Sequence, residues 1–128
     1  MKTTLGRFVA FAAIAFFLLY GIAFSLLPED MSLLVTGSKP QGVSALIDFR
    51  ATYGGMTIAV GVALAYLYAI GQWRACLFMI ALVLFSMAAT RMMGLVVHGS
   101  GNALMYVYLV LEILGGVLAL LAMRKTID

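Results

Sequence analysis

The sequence predicts an all-α integral membrane protein: four transmembrane helices in one bundle, with either a short interfacial helix or a plain loop between the first and second spans. Three observations predict it. The 128 residues are 65% hydrophobic and 10% charged, and their mean hydropathy of +1.13 is more than a soluble core of this size can hide. Four almost uncharged runs, each close to the roughly 20 residues a spanning helix needs, are separated by short polar breaks. Most Lys and Arg residues stand at the ends of these runs and not in one patch, which marks membrane topology and argues against a nucleic-acid surface. Residues 1–128 therefore read as a single four-span domain with the lipid bilayer as its first partner.

The first run, Phe8 to Leu27, carries no charge and follows Lys2 and Arg7. A secretory signal peptide begins the same way, but this run exceeds the roughly 7–15 residues of a signal core, and no small-x-small cleavage site precedes Pro28. A retained helix is expected. In the next segment Pro28, Glu29 and Asp30 have the composition of a helix start, Met31 to Thr36 is mildly apolar, and Gly37 to Gly42 is rich in turn formers. A short interfacial helix and a plain connecting loop both fit; the helix would cover the mouth of whatever lies between the spans.

The second run, Val43 to Ile70, has Asp48 and Arg50 near its start and ends at the break Gly71-Gln72-Trp73-Arg74. The third, Ala75 to Val97, carries Arg91 about two turns before its end and leads into the turn His98 to Asn102. The fourth, Ala103 to Met123, carries Glu112 near its middle and ends at Arg124 and Lys125. Cys76 has no second cysteine for a disulfide or a thiolate metal site, so a packed or lipid-facing thiol is expected, with no metal and no cofactor.

Four spans place Lys2, Arg7, Arg74, Arg124 and Lys125 on one side and leave Lys39 on the other. Because cytoplasmic segments keep the excess of Lys and Arg, the expected location is the inner (plasma) membrane with both termini cytoplasmic. Trp73, Tyr66 and Tyr68 suit an aromatic belt on that side.

This topology puts Arg50 and Arg91 about 10 Å inside the outer boundary and Glu112 about 15 Å inside. An unpaired charge at that depth costs several kcal/mol, so the three are expected to face inward and pair. At about 100° per residue, Arg50 shares a stripe with Gly54, Thr57 and Gly61. Arg91 shares one with Gly94 and His98, and Glu112 one with Tyr108, Gly115 and Gly116. Packing in lipid depends on close approach, so Gly54, Gly55, Gly61, Gly94, Gly115 and Gly116 are the expected helix-packing positions. Asp48 lies about 200° around the helix from Arg50 and is expected at the helix N-terminus, beside exposed amides.

Two arginines against one glutamate leave a local positive excess, which favours a lipid phosphate or a carboxylate as a third partner. The candidate ligand-binding set is therefore Arg50, Arg91 and Glu112. Tyr53 and Tyr108 lie within a turn as hydrogen-bonding neighbours, and His98 stands nearer the outer surface. Each has a plainer reading: a structural ion pair that fixes helix register, tyrosines in packing, a solvated histidine in a turn. Met56, Met87, Met92, Met93 and Met105 cluster toward the outer half, as gap-fillers or as the lining of an adaptable pocket.

Arg50-Ala51-Thr52-Tyr53-Gly54-Gly55, Arg91 followed by the Gly99 turn, and Glu112 in the last span together resemble a family of small bacterial membrane proteins known only as domain of unknown function 4345. The resemblance covers about Pro28 to the C-terminus. It implies four spans and no established activity, and the chain departs from it at His98, where the family often has an acidic residue.

No HExxH, phosphate-binding glycine loop, nucleotide fingerprint, Cys/His cluster or Ser-His-Asp set is present. The leading expectation is a non-enzymatic membrane protein whose outer-half Arg/Glu cluster binds a lipid or other amphipathic anion, or seats a membrane-protein partner or a second copy of the chain. The alternative is a small proton-coupled transporter in which Glu112 exchanges protons and the arginines hold substrate; a bundle of four spans would have to dimerise for it. A membrane enzyme using Glu112 as acid or base ranks last, with no nucleophile or metal set to accompany it.

Overall fold

The computed structural model describes residues 3–125, so Lys2 lies outside the described residues. Its helices follow the apolar runs and extend them slightly. Helix α1 spans Thr4–Leu26, with the Thr3 hydroxyl accepting a hydrogen bond from the Gly6 amide at 3.1 Å as its cap. Pro28 has no amide proton to continue that ladder, and it opens α2, Pro28–Thr36, whose first turn holds Glu29 and Asp30 against the positive end of the helix dipole. Of the two readings of this segment, the helix is the one that forms. It stops at Gly37, whose φ of 80° is the left-handed conformation that glycine adopts without penalty.

Helix α3 runs from Val43 to Ala69, with its Arg50–Met56 stretch wound as a wider π-helix. Helix α4 is Trp73–His98, and α5 is Ala103–Arg124, capped by the Asn102 side chain, which accepts from the Met105 amide at 3.2 Å. Helices α1, α3, α4 and α5 are long and apolar enough to cross a membrane. Asp48 is not at a helix start. The helix begins five residues earlier, at Val43 after Gly42, and the Asp48 carboxylate instead accepts from the Thr52 hydroxyl one turn on.

Helix α1 is the one the others share: it packs along α3 and also touches α4 and α5, while α4 and α5 form the second closely packed pair. Small residues set the α1–α3 distance. A Cβ on Gly21 would lie 2.8 Å from the Ile58 amide nitrogen, one on Gly61 would lie 3.1 Å from the Leu18 nitrogen, and one on Gly54 would strike Ser25. In the other pair, Leu84 and Phe85 of α4 seat over Gly115 and Gly116 of α5. Gly55 and Gly94 are not closely approached by another helix of this bundle. Gly55 is turned off the α1 contact that Gly54 makes, and no atom lies within 4 Å of a Cβ on Gly94. The long Arg91 side chain crosses to α5, so α4 needs no close backbone approach at Gly94.

The core lies at the end of the bundle that holds the α3–α4 turn. Val9, Ala10, Phe17, Leu64, Leu77 and Ile80 are buried there with Ala119 and Ala122 of α5. Cys76 is a packed thiol in this cluster, with Sγ 3.5 Å from the Leu64 carbonyl oxygen. Toward the α2 end the same helices open around polar groups.

Candidate functional site

Arg91 of α4 and Glu112 of α5 meet across the interface that Gly115 and Gly116 allow to close. Arg91 Nε donates to Oε1 at 3.1 Å and to Oε2 at 3.0 Å, and Nη2 donates to Oε1 at 2.5 Å. Two nitrogens thus hold one carboxylate, the arrangement in which a guanidinium binds an acid most strongly. Glu112 is only 5% exposed, and such a pair persists in a low-dielectric interior because each charge compensates the other.

The rest of the guanidinium is less well provided. Nη1 has the Met105 sulfur at 3.3 Å as its acceptor, and the carbon of the group stands 5.2 Å from the centroid of the Tyr108 ring. A thioether accepts hydrogen bonds weakly, whereas the aromatic face offers the cation a favourable quadrupole. Tyr108 in turn meets Tyr20 of α1 edge-on, with ring centroids 6.5 Å apart.

Two cavities share this centre. One of about 280 Å³ lies between α1, α4 and α5, reaches from Phe8 and Leu118 up to Arg91, Glu112, Tyr108 and Tyr20, and is otherwise lined by apolar side chains. The other, about 490 Å³, lies between α1, α3 and α4, with Val35 and Thr36 of α2 and Met105 of α5 also on its wall. Phe16, Phe17, Tyr20, Met87 and Arg91 belong to both walls. Helix α2 is held in place by Asn102 Nδ2, which donates to the Val35 carbonyl at 2.9 Å, and by the Ser32 hydroxyl, which donates to the Ser38 carbonyl at 2.8 Å.

Arg91, Glu112 and Tyr108 are therefore brought together as the sequence suggests, and Arg50 is not. Its Nη1 donates to the carbonyl of Ser25 at 2.5 Å, in the last turn of α1, where carbonyls have no partner within the helix. The stripe of Arg50, Gly54 and Gly61 faces α1 and not the α4–α5 pair, which places this arginine out of reach of Glu112. Tyr53 stacks on Phe49 and Phe24, with centroids 4.9 and 5.2 Å apart, at the wall of the larger cavity. His98 ends α4, exposed, and lines neither cavity. Of the methionines, Met56, Met87 and Met105 line the larger cavity, while Met92 and Met93 are exposed.

Tyr20, Asn102 and Phe24 are the participants that sequence reading passes over. Tyr20 and Phe24 lie in the uncharged first run, where no ionisable neighbour singles them out. Asn102 follows the common signature of a helix cap, but its second bond, to α2, is a long-range one.

Fold and buried pair together define a multi-pass helical membrane protein with a polar centre inside the bundle. The chain belongs to the family described as Domain of unknown function (DUF4345), whose family model matches residues 5–123, so the likeness includes α1 as well as the stretch after Pro28. Among curated proteins and among solved structures, nothing matches the chain.

Proposed function

We propose that the bundle binds a lipid or other amphipathic anion, with the polar end at Arg91 and the apolar part along α1, α4 and α5. The observation that carries this reading is the state of Arg91, which lines both cavities: among the described residues its Nη1 has only a thioether to accept its protons. A phosphate or carboxylate oxygen is a far better acceptor for a guanidinium. The cavities also have the concave, mainly apolar character of ligand sites, with a few convergent polar groups. In this reading the protein sits in the inner (plasma) membrane with Arg7, Arg74, Arg124 and Lys125 at the cytoplasmic face.

Native mass spectrometry of the gently extracted protein tests it. The expected result is a retained amphiphile that is lost in the double variant Arg91→Gln/Glu112→Gln, which leaves no charge unpaired. Identical retained species in both proteins overturn the reading, and a mass of two chains or of a second protein would point to a seat for a partner instead.

A second reading, a proton-coupled transporter, draws on one observation: the two cavities reach Arg91 from different parts of the bundle, one extending toward Phe8 and the other toward α2. It requires Glu112 to part from Arg91 in each cycle. Acidification of vesicles holding the wild-type protein but not Glu112→Gln, driven by an added candidate substrate, would favour it over binding alone.

A further inference from the structure

The larger cavity has a hydrogen-bonding pattern of its own. The Thr36 hydroxyl donates to the Ser32 carbonyl at 2.8 Å, and the Thr90 hydroxyl donates to the Ser86 carbonyl at 2.9 Å. Both protons are engaged by backbone carbonyls; the Thr36 oxygen also accepts from the Ser38 amide at 3.4 Å, so it is Thr90 whose oxygen keeps its lone pairs uncommitted. Tyr53 and Thr57, on α3, line the same space, and among the described residues their hydroxyls make no hydrogen bond. Arg91 Nη1 supplies the cationic donor on the α4 wall. The wall thus offers one strong donor for an anion, one uncommitted hydroxyl oxygen that can only accept, on Thr90, and two hydroxyls free to do either.

From this pattern we infer that the amphiphile bound here carries a polyol head group joined to a phosphodiester, as a phosphoglycerol lipid does. The inference rests on the proposed binding at Arg91 and names the chemistry of the head group. The phosphodiester oxygen replaces Met105 Sδ as the acceptor for Nη1, and the hydroxyls donate to the Thr90 oxygen and exchange bonds with Tyr53 and Thr57. A choline head group brings no hydroxyl to these groups, and a bare phosphate monoester fills only the Arg91 position. The lid formed by Val35 and Thr36 of α2 limits the space above the head group.

The test is titration of the detergent-solubilised protein with phosphatidylglycerol, phosphatidylcholine and phosphatidic acid of one chain length, read by native mass spectrometry. Phosphatidylglycerol is expected to bind about tenfold or more tighter than phosphatidylcholine, because both offer the phosphodiester but only the glycerol head group adds hydroxyl hydrogen bonds and brings no second cation beside Arg91. Tyr53→Phe and Thr57→Val, which remove only hydroxyls or replace them at equal volume, should each weaken phosphatidylglycerol about two- to tenfold and leave phosphatidic acid unchanged. Should Thr57→Val not fold, Tyr53→Phe at the cavity rim gives the same readout. Equal binding of phosphatidylglycerol and phosphatidic acid, both insensitive to these variants but abolished in Arg91→Gln/Glu112→Gln, overturns the polyol inference and leaves the anion reading standing. Binding of either lipid that ignores the Arg91 double variant overturns both.

Discussion

Arg91 and Glu112, 21 residues apart, close the α4–α5 interface through two nitrogens of one guanidinium on one carboxylate. Removing one partner strands the other charge inside an apolar bundle, whereas removing both leaves neutral amides of similar shape. Glu112→Gln or Arg91→Gln is therefore expected to destabilise the protein by about 3–5 kcal/mol, and the double variant by clearly less than the sum. Unfolding of the three proteins in one detergent measures the coupling. Additive losses would show that the pair contributes nothing as a pair.

The glycines divide into those that are approached and those that are not. A Cβ on Gly21 would meet the Ile58 amide nitrogen at 2.8 Å and the Gly54 carbonyl oxygen at 2.9 Å, whereas one on Gly61 would meet the Leu18 side chain at 2.8 Å and the Leu18 backbone nitrogen at 3.1 Å. Gly21→Ala and Gly61→Ala should therefore push α1 and α3 apart and cost about 1–3 kcal/mol, as overpacking does. Gly94→Ala meets open space one turn before the end of α4 and should be neutral or stabilising by about 0.5–1 kcal/mol. Thermal unfolding of the three variants ranks them, and a destabilised Gly94→Ala would mean that another surface covers this face of α4.

The spans were legible because each is a long apolar run between polar breaks, and no tertiary contact is needed to see that. Depth along a helix was legible too, which is why Arg91 and Glu112 could be matched. What depth does not report is the direction in which a helix face points. Arg50 lies at a similar depth to Arg91, yet its stripe of small residues faces α1, and its guanidinium finds a helix-end carbonyl. An orphan carbonyl at the end of another helix leaves no mark in the sequence around Arg50. The same holds for the π-wound stretch Arg50–Met56, since one extra residue in a turn is invisible in apolar periodicity.

For Arg50 the structure predicts a local and structural loss. Arg50→Gln removes a charged donor from the last turn of α1, where both the hydrogen bond and the helix dipole favour a cation. Because the arginine is exposed, the expected cost is about 1 kcal/mol. Combined with Glu112→Gln, it should add to within about 0.5 kcal/mol, as independent sites do. A coupling larger than that in unfolding experiments would mean that Arg50 and Glu112 sense each other after all.

Asn102 does two things with one side chain, and two substitutions separate them. Its Oδ1 accepts from the Met105 amide to cap α5, and its Nδ2 donates to the Val35 carbonyl of α2. Asn102→Asp keeps the capping oxygen but loses the donor, and sets a carboxylate against the Val35 carbonyl; Asn102→Ala loses both. Asn102→Ala should therefore cost about 1 kcal/mol in stability from the cap, and both variants should raise amide hydrogen exchange along Pro28–Thr36. Because α2 covers the larger cavity, faster exchange there should accompany faster release of any bound amphiphile. If Asn102→Asp leaves exchange in α2 at the wild-type rate, the Ser32 to Ser38 hydrogen bond holds α2 folded and Asn102 serves α5 alone.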